Sequence, residues 1–353
     1  MTRLLAFFLL WLAAVAGGAQ RVAAWYVIVT GEEQYNATSD RWNFTSLLDY
    51  GVDLRLWRGA QLNVGALTSY MQHEEGYLLP SPLAVSNVDA PTSPFRIAVL
   101  GLSQQVGPVS LFAGVSNTVI NYFADPELAF FVGPPHGIQP TLSYNFDIAT
   151  YPTAALAAQA TWQIDTAWRL RATLYNGAAT DRLSQLPRLG QGALLMAAVN
   201  RHDARRTTEA GVLTGRGKGD DMAAALYAYH IEHLSSRWCL IGEAGAHIGD
   251  NKGQAMGLPE AAAANAALGG IYTLNERHSL GLTTRLGVFD EGYANTQMEL
   301  TYQYSRNFLT LQPVLLIDHD NTAWNAVGML RLTLAIERAY PEVGMEKPKI
   351  SDK

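Results

Sequence analysis

The chain has 353 residues, of which 48% are hydrophobic and 16% are charged, and its formal net charge at pH 7 is -6. This charge argues against a protein that binds nucleic acid, because such a protein needs a basic surface patch. Beyond the N-terminal residues there is no uncharged apolar run of about 18 residues, the length read as a membrane-spanning helix. The composition therefore also argues against a helical membrane protein, and a mean hydropathy of +0.01 indicates apolar residues spread over short elements.

The N-terminal residues have the order of a secretory signal. Arg3 precedes an apolar run over residues 4–16, and small residues follow at 17–19. This order predicts a signal peptide over residues 1–19, with cleavage after Ala19 as the first choice and after Ala24 as the second. The run is shorter than the roughly 20 residues of a membrane-spanning helix. The alternative is a buried N-terminal helix.

Beyond the signal, short segments with period-two alternation recur between Gly, Pro, Asn and Asp residues, the pattern of β-strands joined by turns. Their number, about 16 to 18, lies in the range in which a closed barrel keeps an aqueous lumen. The stronger candidates are residues 53–57, 61–70, 96–103, 109–116, 142–146, 155–163, 167–175, 192–199, 223–232, 238–248, 267–274, 279–289, 296–305, 308–317 and 328–336, and the weaker ones are 25–30 and 209–213.

The alternation is clearest in residues 168–175, where Trp168, Leu170 and Leu174 interleave with Arg169 and Arg171. A sandwich would show the same alternation with its apolar face inward, so periodicity alone leaves sandwich and barrel open. Strand length favours the barrel, because many candidates are near the length of a tilted membrane strand, whereas the average globular strand has about five or six residues. We therefore expect one transmembrane antiparallel β-barrel of about 16 strands over residues 20–340.

Aromatic residues are frequent at the ends of the predicted strands. Membrane barrels carry aromatic girdles at both interfaces, although the general β propensity of aromatic residues is an alternative explanation. The candidates for the girdles are Trp57, Tyr70, Trp162, Trp168, Tyr175, Trp238, Tyr272, Tyr302, Tyr304 and Phe308.

Four long irregular stretches, residues 72–94, 117–140, 178–190 and 250–264, interrupt the strand pattern. In a barrel the longer connections lie on the extracellular side, and we expect them to fold into the mouth, where they would set selectivity. Residues 341–353 form a polar tail that we expect to be disordered.

Three blocks of the sequence resemble the carbohydrate-selective porin family, the OprB-like outer-membrane proteins, in the order in which that family has them. The blocks are LLDYGVDLRLWRGAQLNVGALTSY at residues 47–70, the motifs LFAGVSN, NYFADPELAFF, YPTAALAAQATWQ and WRLRATLYNG between residues 111 and 177, and ELTYQYSRNFLTLQPVLLIDHDN with GMLRLTLAI between residues 299 and 336. Two features depart from the family: LFAGVSN lacks the Gly-Arg-Leu-Asp typical of that place, and the chain does not end on an aromatic residue. The resemblance implies passive transport of sugars across the outer membrane.

If the barrel prediction holds, strand parity places six charged side chains on the face that meets water. Rings of such charges select which solutes pass, and guanidinium groups can donate hydrogen bonds to sugar hydroxyls. The alternative is that these side chains only solvate a wide lumen. The predicted pore-lining residues are Arg55, Arg169, Arg171, Arg285, Glu299 and Arg331.

The sequence carries no signature of catalysis or of a cofactor. It lacks the Gly-x-Ser-x-Gly elbow, the His-Glu-x-x-His helix and a Walker loop with Gly-Lys-Ser or Gly-Lys-Thr. The Gly-rich residues 215–221 lack the Ser or Thr that would hold magnesium and predict a flexible turn. His230 and His233 would face opposite sides of a strand, so no metal site is expected there.

These observations predict an outer-membrane porin for passive diffusion of small hydrophilic solutes, with carbohydrates implied by the resemblance. A non-selective general porin is the first alternative, and a barrel enzyme or an adhesin is a more distant one. The expected partners are the lipids and lipopolysaccharide of the outer membrane, the transported sugars and possible further copies of the chain in an oligomer.

Overall fold

Sixteen antiparallel strands close into a barrel in the computed structural model of the chain, which describes residues 22–74, 76–79, 81–133, 137–177, 192–216, 222–249, 261–289, 292–320 and 322–340. The strands are β1 (Val22–Asn36), β2 (Arg41–Arg55), β3 (Ala60–Met71), β4 (Ser93–Val106), β5 (Val109–Ser116), β6 (Ala155–Gln163), β7 (Trp168–Asn176), β8 (Ala193–His202), β9 (Arg206–Arg216), β10 (Ala223–His233), β11 (Trp238–Ile248), β12 (Ala262–Asn275), β13 (His278–Phe289), β14 (Ala294–Arg306), β15 (Leu309–His319) and β16 (Trp324–Ala339).

Each strand pairs with its neighbours in sequence, and β1 pairs with β16 to close the barrel. In the closing pair Thr30 lies opposite Thr333 and Glu32 lies opposite Arg331. Closure leaves no unpaired sheet edge, so the backbone groups are satisfied within the wall. The prediction of an antiparallel barrel of about 16 strands is confirmed.

The two ends of the barrel differ in the length of their connections. At one end the strands are joined by short turns, such as Gly107-Pro108 between β4 and β5 and Asn307-Phe308 between β14 and β15. Gly107 and Asn307 have φ values of 56° and 54°, the left-handed conformation that tight turns demand of Gly or Asn. The long connections between β3 and β4 and between β5 and β6 lie at the other end. The irregular stretches predicted at 178–190 and 250–264 lie wholly or mainly outside the described residues.

The outer surface of the wall is apolar. Leu268 is 70% exposed, Leu174 and Leu282 are each 52% exposed, and their inward-facing neighbours are mostly polar or buried. Aromatic rings follow this surface near the short-turn end, where Trp238 lies opposite Tyr272 and the ring centroids are 4.7 Å apart. Within the described residues no helix is long and apolar enough to cross a membrane.

Most predicted strands are confirmed, and 109–116, 155–163 and 238–248 match the strand bounds. The strand predicted at 142–146 is wrong. This stretch contains the end of a short helix (Pro140–Ser143, here α2) followed by irregular chain inside the barrel, because Pro140 suits the first turn of a helix. The prediction at 53–57 covered only the end of β2, whose 15 residues begin at Arg41.

Tyr175 differs from the other predicted girdle residues. It lies opposite Ala157 and Leu194 on the inner face of the wall and is 1% exposed. The preceding residue, Leu174, points outward and is 52% exposed. Because neighbouring residues of a strand face opposite sides, Tyr175 cannot belong to an outer girdle.

Inward-facing aromatic rings lie flat on the wall over glycines of neighbouring strands. The ring of Tyr26 covers Gly51 of β2, where an added Cβ would lie only 2.6 Å from Tyr26 Cε1. The phenol oxygen reaches Gly65 of β3, whose Cβ would lie 2.9 Å from it. These glycines are needed because a side chain at either position would displace the ring.

Candidate pore lining and inward-folded segments

Two connections fold into the barrel instead of extending away from it. Inner segment 1 comprises the described residues of 72–92, between β3 and β4, and inner segment 2 comprises the described residues of 117–154, between β5 and β6. Inner segment 2 contains a short helix (Thr118–Tyr122, here α1), a 3-10 turn (Leu128–Phe130) and α2. The two segments also contact each other, since the Asn87 amide donates to the Val132 carbonyl at 2.9 Å.

Inner segment 2 buries an apolar core against the wall from β6 to β12. The ring of Phe123 packs on Tyr227 with centroids 5.3 Å apart, and Phe131 and Leu142 are fully buried. The wall side of this cluster includes Leu194, Met196, Leu213, Ile231, Ile241 and Ile271. Because the strands here carry apolar residues on both faces, this sector of the wall needs a covering segment on its inner face.

Tyrosine hydroxyls fix the start of inner segment 2. Tyr122 Oη lies 2.8 Å from Thr173 Oγ1 and donates to the Met196 carbonyl at 3.0 Å. Tyr229 donates to Asp125 Oδ2 at 2.7 Å. Burial raises the pKa of Tyr122 above its ordinary value, opposed by the hydrogen bond to Thr173, so the hydroxyl stays protonated and can donate.

The carboxylate of Glu299 anchors the middle of inner segment 2. It accepts the backbone amides of Val132 at 2.7 Å and Gly133 at 3.0 Å, and Thr301 Oγ1 donates to it at 2.6 Å. It also forms an ion pair with Arg285, and the two side chains are 0% and 1% exposed. The Glu299 carboxylate therefore joins the wall to the segment: it pairs with Arg285 of the wall and accepts two backbone amides of inner segment 2.

Inner segment 1 has a similar anchor. Arg331 pairs with Glu32 across the closing strands and donates to Ser86 Oγ at 3.1 Å and Asn87 Oδ1 at 2.6 Å. Ser86 in turn donates to Glu32 at 3.0 Å. The strand pair that closes the barrel thus also holds residues 86–87 against the wall.

Arg171 makes a third charged contact between the wall and an inner segment. Its guanidinium lies 3.9 Å from Glu209 and 4.8 Å from the centre of the Tyr122 ring. Glu209 also accepts hydrogen bonds from Tyr227 at 3.1 Å and Asn200 at 3.2 Å. Arg171 therefore lies at the border between inner segment 2 and the inner face of β7.

On the inner face of β2 to β7, polar side chains toward the short-turn end are half-buried or exposed. Further from that end, Ser69, Arg96 and Thr173 are buried and contact the inner segments. Asn63 donates to Asp53 at 2.7 Å, and Ser103 donates to Asn63, which links β2, β3 and β4. We call this surface the polar sector. It consists of Asp49, Asp53, Arg55, Gln61, Asn63, Ser103, Ser110, Phe112, Gln159, Thr161, Gln163 and Arg169.

All six predicted pore-lining residues lie on the inner face of the wall, but they do not share one environment. Arg169 and Arg55 are half-buried, and Arg55 donates to the carbonyls of Val22 and Tyr340. Arg55 therefore ties the two chain ends of the barrel together as well as lying in the polar sector.

The expectation that all six side chains meet water does not hold for Arg285, Glu299 and Arg331, which are 1%, 0% and 6% exposed. The inner segments cover them, and their charges are satisfied by ion pairs and backbone amides. Strand parity identified the correct face, but it could not show that a connection from elsewhere in the sequence would cover that face.

Sequence reasoning found Glu299, the partner of Arg285, but missed the carboxylates that accompany Arg331 and Arg171. Glu32 and Glu209 stand at inward positions in strands that are otherwise weak in alternation. A charged residue at the inward parity of a strand was the available signal, and applying it to β1 and β9 would have indicated both residues.

The histidines of β10 serve separate contacts, as their opposite faces predicted. His230 Nδ1 lies 2.7 Å from Thr208 Oγ1 on the outer face, and His233 Nε2 lies 3.1 Å from Glu127 of inner segment 2. Across the described ranges, no group of three or more His, Cys, Asp or Glu residues could hold a metal ion. The predicted turn at 215–221 lies mainly outside the described residues.

A closed 16-stranded barrel with an apolar outer surface and inward-folded connections is the fold of bacterial outer-membrane channels. By sequence, the chain matches no protein-family model and no curated protein. Among solved structures it is similar to Pseudomonas putida OprB at high pH, with a TM-score of 0.74 and 11% identity over 91% of this chain and 97% of that chain.

Two further solved structures share the fold. The outer membrane channel DcaP of Acinetobacter baumannii has a TM-score of 0.58 and 14% identity, covering 89% of this chain and 98% of that chain. A mutant of the Rh. blastica porin has a TM-score of 0.57 and 12% identity, covering 88% and 99%. The likeness shows that this chain has the porin fold.

Proposed function

We propose that the chain is an outer-membrane porin through which small hydrophilic solutes, carbohydrates among them, diffuse passively. The observation that carries this proposal is the polar sector. The described parts of the inner segments cover the inner face of β7 to β16 and β1 and contact β2 to β6 near the long-connection end. The polar side chains of β2 to β7 toward the short-turn end stay half-buried or exposed. A passage along this sector would be lined with hydrogen-bonding groups.

The chemistry of the polar sector suits sugars. The sector carries acceptors at Asp49 and Asp53 of β2 and a donor at Arg169 of β7, so a solute in it meets both kinds of hydrogen-bonding group. Phe112 and Tyr26 lie flat on this wall and offer apolar faces to the C–H groups of a sugar ring. Polar groups with aromatic surfaces are what a polyhydroxylated ring requires.

The proposal includes export and location. Residues 1–19 would act as the signal peptide and be removed, residues 20–340 would form the barrel in the outer membrane, and lipopolysaccharide and phospholipids would surround it. The signal residues lie outside the described part of the chain, and their sequence pattern supports this step. An oligomer of several copies of the chain in the membrane is compatible with the proposal.

Single-channel recording in planar bilayers tests the function, with maltose and glucose added in steps. We expect a steady conductance that each sugar reduces in a saturable manner. The variant carrying both Arg169→Ala and Arg171→Ala should lose most of the sugar block and change ion selectivity, while Arg338→Ala, at an exposed outward position, should behave as the parent.

The remaining outcomes separate the alternatives. Conductance that no sugar reduces would favour a non-selective general porin. Absence of conductance from correctly inserted protein would remove the channel proposal and favour an adhesin, and hydrolysis of a lipid or ester substrate by the purified barrel would favour an enzyme.

A further inference from the structure

Arginine residues concentrate at one part of the short-turn end of the barrel. The turn between β8 and β9 contacts the end of β10, which leads into the turn between β10 and β11, since the His233 amide donates to the Arg205 carbonyl at 2.8 Å. We call the arginines of these turns and the adjoining strand ends the basic patch, which consists of Arg201, Arg205, Arg206 and Arg237.

The basic patch is positive within a protein whose net charge is -6. Its four arginines exceed the two carboxylates beside them, Asp203 and Glu232, which leaves a charge of +2 with histidines neutral. The side chains of Arg201 and Arg206 are 50% and 51% exposed. The patch therefore retains capacity for anions after its internal ion pairs are counted.

The contacts of Arg201 and Arg206 hold these two cations at the outer surface and not at the lumen. Arg201 lies opposite Trp168 and Thr208, and its guanidinium is 5.7 Å from the centre of the Trp168 ring. Arg206 donates through Nε to Glu232 at 3.0 Å. These residues share the outer face with Trp168, which is 40% exposed.

The patch is continuous with the apolar outer surface. Trp238 is 50% exposed and Leu240, two residues further along β11, is 41% exposed. Tryptophan side chains prefer the boundary between hydrocarbon and headgroups. A partner for this surface must therefore present an anionic group directly beside apolar chains.

We propose that the basic patch binds the phosphate groups of anionic phospholipids in the leaflet that meets the short-turn end. The guanidinium groups donate to the phosphate oxygens, for which Arg has suitable donor geometry. The tryptophan rings lie against the glycerol region and the first part of the acyl chains. This inference rests on the membrane insertion contained in the proposed function and does not depend on what the lumen conducts.

The test uses the full mature chain in vesicles of phosphatidylcholine that contain brominated phosphatidylglycerol or brominated phosphatidylcholine. Bromine quenches tryptophan fluorescence only from lipids in contact with the protein, so the two titrations give a relative association constant. We expect phosphatidylglycerol to be preferred by about two- to fivefold, as for a few arginines near an anionic surface, and the preference to fall with added salt.

Variants assign the preference to the patch. Arg201→Gln with Arg206→Gln should bring the ratio close to one, and Arg201→Lys with Arg206→Lys should keep most of it. The matched control is Arg58→Gln with Arg277→Gln, which removes two exposed arginines from other turns at the same end and should leave the ratio unchanged.

Three results would overturn the inference: a wild-type ratio of one, an equal loss in the control variant, or stronger competition by lipopolysaccharide than by phosphatidylglycerol. Conductance and protease protection of the same vesicles report insertion. Protein that fails to insert contradicts the proposed function, whereas inserted protein without a lipid preference contradicts the basic patch alone.

Discussion

Arg285 of β13 and Glu299 of β14 form an ion pair inside the barrel, and neither side chain is more than 1% exposed. The pair lies on the wall, but the carboxylate also accepts two amides of inner segment 2, from Val132 and Gly133. Glu299 thus fixes two residues of a connection that lie 167 and 166 positions earlier in the chain.

Replacing Glu299 with Gln should destabilise the barrel by about 3–5 kcal/mol, because removing one member of a buried pair leaves the other charge uncompensated. Equilibrium unfolding in guanidinium chloride, followed by tryptophan fluorescence in detergent micelles, measures the change. Glu337→Gln, at an exposed position of β16, is the control and should change stability little. Equal stability of the two variants would show that the pair contributes no net stabilisation.

Gly51→Ala should displace the Tyr26 ring, because the new Cβ would lie 2.6 Å from Tyr26 Cε1. Overpacking of this kind costs about 1–3 kcal/mol. Gly328→Ala is the matched control, since nothing lies within 4 Å of a Cβ at that position. The difference between their unfolding free energies measures the packing of Tyr26 on the wall, and no difference would mean that the ring moves aside freely.

Leu268 is 70% exposed near the middle of β12, and the proposed membrane location makes it a lipid contact. Leu268→Arg should then reduce the free energy of folding into lipid by about 2–4 kcal/mol, the cost of an arginine near the bilayer midplane. Leu234→Arg, at a turn residue that is 58% exposed, should cost much less. Similar effects at the two positions would contradict a membrane boundary between them.

The predictable part of the fold follows from local pattern. The alternation of Leu170 and Leu174 with Arg169 and Arg171 gave the strand, its length and its faces, because side chains of a strand alternate irrespective of what covers them. Local pattern also explains the wrong strand at 142–146. Leu142 and Phe146 are apolar, as in a strand, but they are buried by packing inside the barrel.

For the candidate site, the sequence predicted which face of the wall each side chain lies on, but not which segment covers it. Arg331 was placed on the inner face, but its cover by Ser86 and Asn87 depends on contacts across 245 and 244 residues of sequence. No periodicity encodes such a contact. Inner segment 1 reaches its place because several wall residues satisfy its polar groups, and each of those residues alone resembles an ordinary polar strand position.

Asp165 organises the turn between β6 and β7. Its carboxylate accepts the amides of Ala167 and Trp168, each at 2.8 Å, and these hydrogen bonds lower its pKa. A lowered folded pKa means that the stabilisation is fully present above the ordinary pKa of 3.8 and is lost as pH falls through the lower folded value.

Asp165→Ala should therefore weaken the turn at neutral pH, and its difference from wild type should shrink as the pH falls below about 4. Asp165→Asn keeps an acceptor oxygen without a titrating group and should show little change with pH. Hydrogen exchange of the Trp168 amide measures the effect, and a difference that is constant across this pH range would contradict a role for the carboxylate charge.

Glu32→Gln should release inner segment 1, because Glu32 accepts from Ser86 and balances the Arg331 guanidinium that holds Asn87. A segment with a weaker anchor leaves its place on the wall more often, and the lumen is then wider. Planar-bilayer recordings should therefore show a larger mean conductance and more frequent transitions between conductance levels. Glu33→Gln is the matched control, since the adjacent side chain is exposed on the outer face and should leave the recordings unchanged. Unaltered conductance in Glu32→Gln, with the barrel still resistant to protease, would mean that residues 81–92 do not border the conducting passage, and the polar sector would then have to be bounded by inner segment 2 alone.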